Sequence, residues 1–323
     1  MSRRPCFLLL VLLAATCACA QSHRTIALTF DDLPKATAPG QDSNNITAIR
    51  RTNDQLLAVL RSHHAPAIGF VNESKLFVAG QTDARIAILQ AWLDAGMQLG
   101  NHTFSHKDLN AVSLEEYEDD VIHGEVVWHR LMEQSSNGGV SAKSGQTLYF
   151  RHPFTHTGET REKKNAFEAF LKSRGYVVAP FTVEHFDYGF NAIYAKALAR
   201  GDKGQAARIR AAYLDHLDTM LRFFEQKSRE LFGREIPQAL LIHDNDINAA
   251  SLDAMLTRME KRGYSFVTLG EAMCDPAYAT KDYYVGRIGP SWLHRWSVAL
   301  GKPMNFQAEP DPPKWVMDLY NAK

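Results

Sequence analysis

The sequence predicts an α/β fold, a (β/α) barrel of about seven parallel strands with a long helical insertion and a C-terminal extension. Three observations carry this expectation. Short β-rich runs alternate with longer helical patterns along most of the chain, which argues for a parallel sheet covered by helices. The strand candidates number about seven, close to what a closed barrel needs, with an open doubly wound sheet as the runner-up. The chain has 323 residues, 45% of them apolar, enough to bury a large core.

Taken in order, the strand candidates are Thr25–Phe30, Ala67–Val71, Met97–Leu99, Thr147–Phe150, Tyr176–Pro180, Ala239–Ile242 and Ser265–Leu269. Helical patterns lie between them at Ile46–Ser62, Asp83–Ala95, Leu114–Glu133, Arg161–Arg174, Lys203–Phe232 and Leu252–Arg262. Ser113 with Glu116 has the spacing of a capping box for the third of these. Gly96, Gly175 and Gly263 stand where helices end. In the fifth, Ile209, Tyr213, Leu217, Met220 and Phe224 recur at spacings of three and four and form one apolar stripe. From Cys274 onward the pattern changes to loops with one short helix and a proline-rich tail, "EPDPPKWV", expected to pack on the surface.

The first residues, "MSRRPCFLLLVLLAATCACAQ", have two arginines, an apolar run and an A-x-A site at Ala18-Cys19-Ala20. They read as a secretory signal, so the mature chain is expected to begin at Gln21. An uncleaved anchor and a lipoprotein joined through Cys17 or Cys19 are the alternatives, and the apolar run is short for a transmembrane helix. The expected organisation is a signal peptide over 1–20, one α/β domain over 21–273 and an extension over 274–323. No later stretch spans a membrane, so a periplasmic or secreted location is expected. Three of the four cysteines fall in the leader, leaving Cys274 without an internal disulfide partner. The 36 basic and 36 acidic residues balance, and nothing suggests binding to nucleic acid or to an anionic membrane.

The polar residues fall in a repeating order. "TIALTF" runs into Asp31 and Asp32, "MQLG" into "NHTFSH", "TLYF" into Arg151, "YVVAPFTVEHF" into Asp187, and "ALLI" into His243 and Asp244. In a parallel α/β fold all strand C-termini share one face, where active sites gather. Residues distant in sequence are therefore expected to meet in one cleft.

His102 and His106 lie four apart, a spacing that puts two side chains on one side of a helix or of a strand. Two neutral imidazoles and one carboxylate form a three-ligand set with an open position, as catalytic zinc sites do. Asp31–Asp32 offers two carboxylates, one to bind metal and one to take a proton. Each feature has a plainer reading. A second H-x-x-x-H, His152 and His156, and the scattered His63, His64, His123 and His129 show that such spacings arise without ligation. Asp31–Asp32 before Leu33-Pro34 fits a turn, Arg151 an ordinary ion pair, Asp187 a loop cap and His243 a core histidine. Asp244, Asp246 and Asn248 fit a turn and the N-terminus of the next helix.

Together the segments resemble the polysaccharide deacetylase family, the NodB-homology carbohydrate esterases of family 4. "ALTFDDLP" resembles the family's TFDD motif, "GNHTFSH" its H-S/T-x-x-H motif and "YFRHPF" its R-x-P-F/Y motif. "HFDYGFN" resembles the D-W motif, "LLIHD" the closing L-x-H motif, and "GYSFVTLGEAM" the usual end of the domain. The five motifs stand in family order from Ala27 to Asp244. The resemblance implies a distorted barrel and a divalent metal, usually Zn2+, held by Asp32, His102 and His106. It further implies Asp31 as general base, Arg151 orienting it, His243 as general acid and Asp187 tuning that acid. The backbone N–H of Phe154 would help hold an oxyanion.

Two departures stand out. Tyr188 replaces the family's usual tryptophan beside the acetyl pocket, and the segment from Asn191 to Pro237 is long. Tyr188 and His156 are the candidate substrate-binding residues. The implied activity is removal of N-acetyl groups from an amino-sugar polysaccharide or oligosaccharide, whether chitin-like, peptidoglycan or exopolysaccharide. The alternatives are an O-acetyl polysaccharide esterase, an inactive sugar-binding module of the same fold, and a purely structural metal site, which would be closed by four protein ligands.

Overall fold

The computed structural model describes residues 24–136 and 147–322. The leader, with Cys6, Cys17, Cys19 and the expected start at Gln21, lies outside the described residues. Within them the chain begins with β1 (Arg24–Leu33), α1 (Ile46–Ser62), β2 (Ala67–Val71), α2 (Thr82–Asp94) and β3 (Gln98–Asn101). It continues through α3 (Leu114–His123), α4 (Val126–Ser136), β4 (Leu148–Phe150), α5 (Arg161–Ser173) and β5 (Tyr176–Val178). Then come α6 (Asp187–Ala199), α7 (Lys203–Phe232), β6 (Gln238–His243), α8 (Asp246–Lys261), β7 (Tyr264–Val267) and α9 (Leu269–Met273). The extension adds α10 (Trp292–Ala299) and α11 (Lys314–Asn321). Among the described residues no helix is long and apolar enough to cross a membrane.

Seven parallel strands form the sheet, in the order β5-β4-β3-β2-β1-β6, with β7 also on β1. β2 pairs with the C-terminal half of β1 and β7 with its N-terminal half. The chain leaving β5 joins the two ends. Ala179 N–H bonds Phe150 O, whereas Val183 pairs with β6, bonding Ala239 O and accepting from Leu241 N–H. That crossing closes the sheet into a distorted barrel, which an open doubly wound sheet would not do.

The period of two along each strand divides the core. Leu28, Phe30, Val71 and Phe150 join the large cluster under the helices. Ala27, Ile68, Phe70, Tyr149 and Ala239 form a smaller second cluster. Continuing the alternation past Ala27 brings Thr29 and then Asp31 onto that second face, just as Arg151 follows Tyr149 and His243 follows Ala239 and Leu241.

α1 and α7 have the bounds that their sequence patterns predict, and the apolar stripe of α7 is fully buried from Ile209 to Phe224. Two expectations fail. The pattern over Leu114–Glu133 is two helices, α3 and α4, broken at Gly124. A Cβ at Gly124 would come within 2.5 Å of the backbone of Thr103 and Phe104, so this position lets the loop after β3 pack closely. The carboxylate of buried Glu73 then accepts Val127 N–H at 2.6 Å and Trp128 N–H at 2.9 Å, capping the second helix. The helical patterns also omit α6. It packs against α7, α8 and α11 and is apolar on several sides, so no single stripe marks it.

α8 starts six residues earlier than its apolar pattern, because Asn245 caps it through Asn248 N–H at 3.0 Å. Ser113 caps α3 as its spacing predicts. The proline-rich tail leads into α11, which packs on α6 with Val316 buried.

Candidate active site

β1 ends in a register shift between Phe30 and Leu33, with Asp32 at φ +74°. In a regular strand adjacent side chains point to opposite faces. The irregularity lets both carboxylates line the same cleft. Neither aspartate is simply part of a turn.

His102 directly follows β3, and His106 lies in the loop beyond it. Neither the helix nor the strand that would place them together is present. Left-handed backbone at Thr103 (φ +64°) and His106 (φ +57°) brings the rings to 5.0 Å between centroids. Asn101 shapes this turn by accepting Thr103 N–H at 2.7 Å, and Thr103 Oγ1 accepts His106 N–H at 3.0 Å.

Asp32, His102 and His106 each offer a ligand atom, and the three atoms lie within 4.8 Å of one another. Asp32 Oδ1 is 3.7 Å from His106 Nε2. The donor set fits a divalent cation on chemical grounds. His102 Nδ1 lies 2.7 Å from Arg151 O, a contact only an N–H can make, so Nε2 carries the lone pair that faces the aspartates. Burial holds both imidazoles below the ordinary histidine range, and therefore neutral. Asp32 is held ionised: burial opposes this, but Lys75, His106 and His243 outweigh it. One carboxylate and two neutral imidazoles are a zinc-type set.

Asp31 is 2% exposed. Its Oδ2 lies 3.4 Å from Arg151 Nη1 and 3.9 Å from His102 Nε2. Its Oδ1 is buried with no hydrogen-bond partner among the described residues. Burial pushes its pKa up to about 6, against the pull of Arg151 and His243. Arg151 is fully buried, with Nε on Ala179 O and Nη2 on Thr29 Oγ1, and its guanidinium lies 4.9 Å from the Phe70 ring. With every nitrogen placed, it can present only one face to Asp31.

Across the cleft, His243 ends β6. Its Nδ1 is 2.8 Å from Asp187 Oδ1. Asp187 Oδ2 accepts His243 N–H at 2.8 Å, Asn245 Nδ2 at 3.0 Å and Asn248 Nδ2 at 2.7 Å. Burial opposes its ionisation, but the His243 charge and hydrogen bonds outweigh that and lower its pKa to about 2. Burial alone would lower the His243 pKa, but the Asp187 charge and hydrogen bond raise it to about 9. Asp187 is thus the first residue of α6 rather than a loop cap, and Asn248 serves Asp187 besides its helix.

The cleft encloses ≈ 680 Å3, in the range of small-molecule and oligomer sites. Asp31, Asp32, His102, His106, Asp187 and His243 all line it, as do Phe154, His156 and Tyr188. Tyr188 is half-exposed, 6.3 Å from the His243 ring. The second H-x-x-x-H separates: His156 bonds Asp108 at 2.8 Å on the cleft wall, while His152 is buried against Phe150 and Phe167. His63 bonds Asp253 and Glu260 on the surface.

Some cleft residues escape the sequence reading. Lys75 reaches Asp32 Oδ1 at 3.0 Å. It follows β2, whose C-terminal end carries "NESK", so the strand-end signal extends to it. Glu184, Glu309 and the segment Ile288 to Pro290 also line the cleft. No local sequence signal marks those in the extension.

Fold and site together define an α/β barrel protein with an Asp-His-His donor set, a buried Asp31–Arg151 pair and an Asp187–His243 pair around one cleft at the C-terminal ends of its strands. The sequence profile of the family described as polysaccharide deacetylase matches residues 19–136, the span that includes "TFDD" and "GNHTFSH". The resemblance read from the sequence is therefore shown, and the fold is the parallel α/β barrel it implies. No curated protein sequence matches the chain. Similar solved structures include the peptidoglycan deacetylase PdaC from Bacillus subtilis, at 19% identity over 78% of this chain and 93% of that one, TM-score 0.46. A polysaccharide deacetylase from Bacillus cereus is 17% identical over 76% of this chain and 91% of its own, TM-score 0.48. A CE4-family pseudoenzyme from Bacillus anthracis is 15% identical over 78% of this chain and 66% of its own, TM-score 0.49.

Proposed function

We propose that the chain is an exported, metal-dependent hydrolase that removes N-acetyl groups from an amino-sugar polysaccharide. The observation that carries this is the meeting of Asp32, His102 and His106 at the floor of a cleft that Asp31 and His243 also line. Three protein ligands leave a coordination position open, which favours a catalytic over a structural site. Zn2+ is the metal that best suits the donors.

Amide hydrolysis needs a nucleophile at neutral pH, a place for negative charge on oxygen and a proton for the departing nitrogen. A bound divalent cation would supply polarisation of the acetyl carbonyl and acidification of a water. Asp31 has a free, buried oxygen facing the cleft and takes the proton of the attacking water. Arg151, fixed by Thr29 and Ala179, keeps that carboxylate oriented. Phe154 stands beside His106, with ring centroids 4.6 Å apart, and its backbone N–H is the second stabiliser of the oxyanion. One such donor is typically worth about 3 kcal/mol. His243 then protonates the leaving nitrogen, and Asp187 keeps it charged for that purpose. His156 and Tyr188 line the walls along which sugar units would lie.

The test is acetate release from a panel of N-acetylated and O-acetylated oligosaccharides, with and without chelator. N-acetylated substrates are expected to release acetate, and chelation to abolish it. Asp31→Asn and His243→Ala should each lose turnover while metal analysis still finds the cation, whereas Asp32→Ala should lose the metal. Release from O-acetylated substrates alone would assign an esterase. No release from the whole panel would leave a sugar-binding module.

A further inference from the structure

Phe154 (φ +55°) and Thr155 (φ +54°) are consecutive non-glycine residues in the left-handed region. Such backbone persists only where its surroundings over-determine it. Here the surroundings come largely from residues beyond Cys274. Thr155 Oγ1 lies 2.6 Å from Gly289 O and donates to it. Arg295 Nη2 donates to Thr155 O at 2.7 Å, Nη1 to Thr157 Oγ1 at 2.7 Å, and Nε to Pro290 O at 2.9 Å. Arg295 is fully buried, 4.3 Å from the Trp292 ring, and pairs with Asp282 at 3.3 Å. A Cβ at Gly289 would fall 1.8 Å from Thr155 Oγ1 and 2.3 Å from Phe154 O.

We propose that the C-terminal extension is a working part of the active site, with Arg295 and Gly289 as positioning residues that hold the Phe154–Thr155 turn in its left-handed form. The inference rests on the deacetylase reading, in which the Phe154 N–H meets the oxyanion. Two further bonds tie the extension to the barrel, Ser291 Oγ to Thr182 O at 2.8 Å and Trp292 N–H to Phe181 O at 2.9 Å. Both acceptors lie in the segment that closes the barrel, so the turn is referenced to the same frame as His243. An extension that served stability alone would have no need to approach the turn this closely or to line the cleft.

The test compares Gly289→Ala and Arg295→Lys with the parent full-length chain. Four readouts are taken: kcat and KM for acetate release, metal content, Tm, and amide hydrogen exchange across residues 153–157. Gly289→Ala is expected to keep its metal, to stay folded with a lowered Tm, to lower kcat by about ten- to a hundredfold per folded molecule with KM nearly unchanged, and to speed exchange in the turn. Arg295→Lys replaces a planar fork by a single point charge that cannot reach Thr155 O, Thr157 Oγ1 and Pro290 O together, and should behave alike. If it fails to fold, Thr155→Val, which removes the hydroxyl that reaches Gly289 O and Phe154 O, takes its place. Thr155→Gly in the Gly289→Ala background removes the nearest clashing group and lets the turn shift Phe154 O away at positive φ, so it should restore part of kcat. Unchanged kcat and unchanged exchange in a folded Gly289→Ala chain would overturn the inference. So would a fall in Tm with kcat per folded molecule at the parent value. Should the parent release no acetate at all, the deacetylase reading falls, and the exchange data still decide whether the extension holds the turn.

Discussion

Replacing Asp187 by asparagine removes the charge that holds His243 protonated. The carboxylate is 2% exposed, bonds His243 Nδ1 at 2.8 Å through one oxygen and takes three N–H donors on the other. Burial pulls the imidazole pKa down, and Asp187 more than reverses this, from an ordinary 6.5 to about 9. That interval corresponds to about 3 kcal/mol in favour of the imidazolium. With asparagine, burial is opposed only by the Asp32 and Asp31 carboxylates, and the pKa falls back to the ordinary 6.5 or lower. At pH 8 the protonated fraction then falls from about nine-tenths to a few per cent or less. A bound cation lowers both values and leaves the sign intact. The pH profile of kcat/KM is expected to move its basic limb down by about 2.5 pH units, with activity at pH 8 down about thirtyfold or more. Stability follows the same pair. The His243 contribution is fully present below about pH 6.5 and lost as pH rises through about 9. The Asp187 contribution is present above about pH 3.8 and lost as pH falls through about 2. Asp187→Asn removes both, so Tm should fall most between pH 4 and 6.5. A folded variant whose basic limb stays in place would refute the assignment of His243 as the acid held charged by Asp187.

Lys75→Ala removes a cation 3.0 Å from Asp32 Oδ1, so divalent metal should bind about tenfold more tightly by titration calorimetry; weaker binding would show that Lys75 orders the carboxylate instead of competing for it. Glu73 is fully buried, one of its oxygens has no partner among the described residues, and burial pushes its pKa up to about 7. An acid raised on folding loses stability as pH climbs from about 4.5 to about 7. Glu73→Gln cannot ionise but keeps an acceptor for the α4 amides, so its stability relative to the parent should rise by up to about 3 kcal/mol from pH 4 to pH 8 in chemical denaturation. Trp92→Phe leaves Asn53 Oδ1 without the indole N–H bonded to it at 2.7 Å and opens a small void beside Phe30, at a cost of about 2 kcal/mol in the same measurement.

Local pattern determined a good deal. The alternation of apolar runs with helical stripes specified a parallel sheet, because burial on both faces and a 3.6-residue stripe each leave a direct imprint on the sequence. The ionisable residue at each strand end located the cleft, since parallel strands must end on one face. Asp32, His102 and His106 were readable for that reason and through their family resemblance.

Tertiary structure alone decided how those residues meet. The pair of histidines converges through left-handed backbone at Thr103 and His106, and no propensity encodes that choice, which the surrounding packing imposes. Gly124 splits a helix that its apolar pattern runs through, because the loop after β3 packs directly against it. α6 left no stripe because it is buried on several sides. The roles of Arg295 and Gly289 depend on contacts more than a hundred residues apart along the chain. Such contacts are set by where the barrel closes, and that closure is a property of the whole fold rather than of any window of sequence.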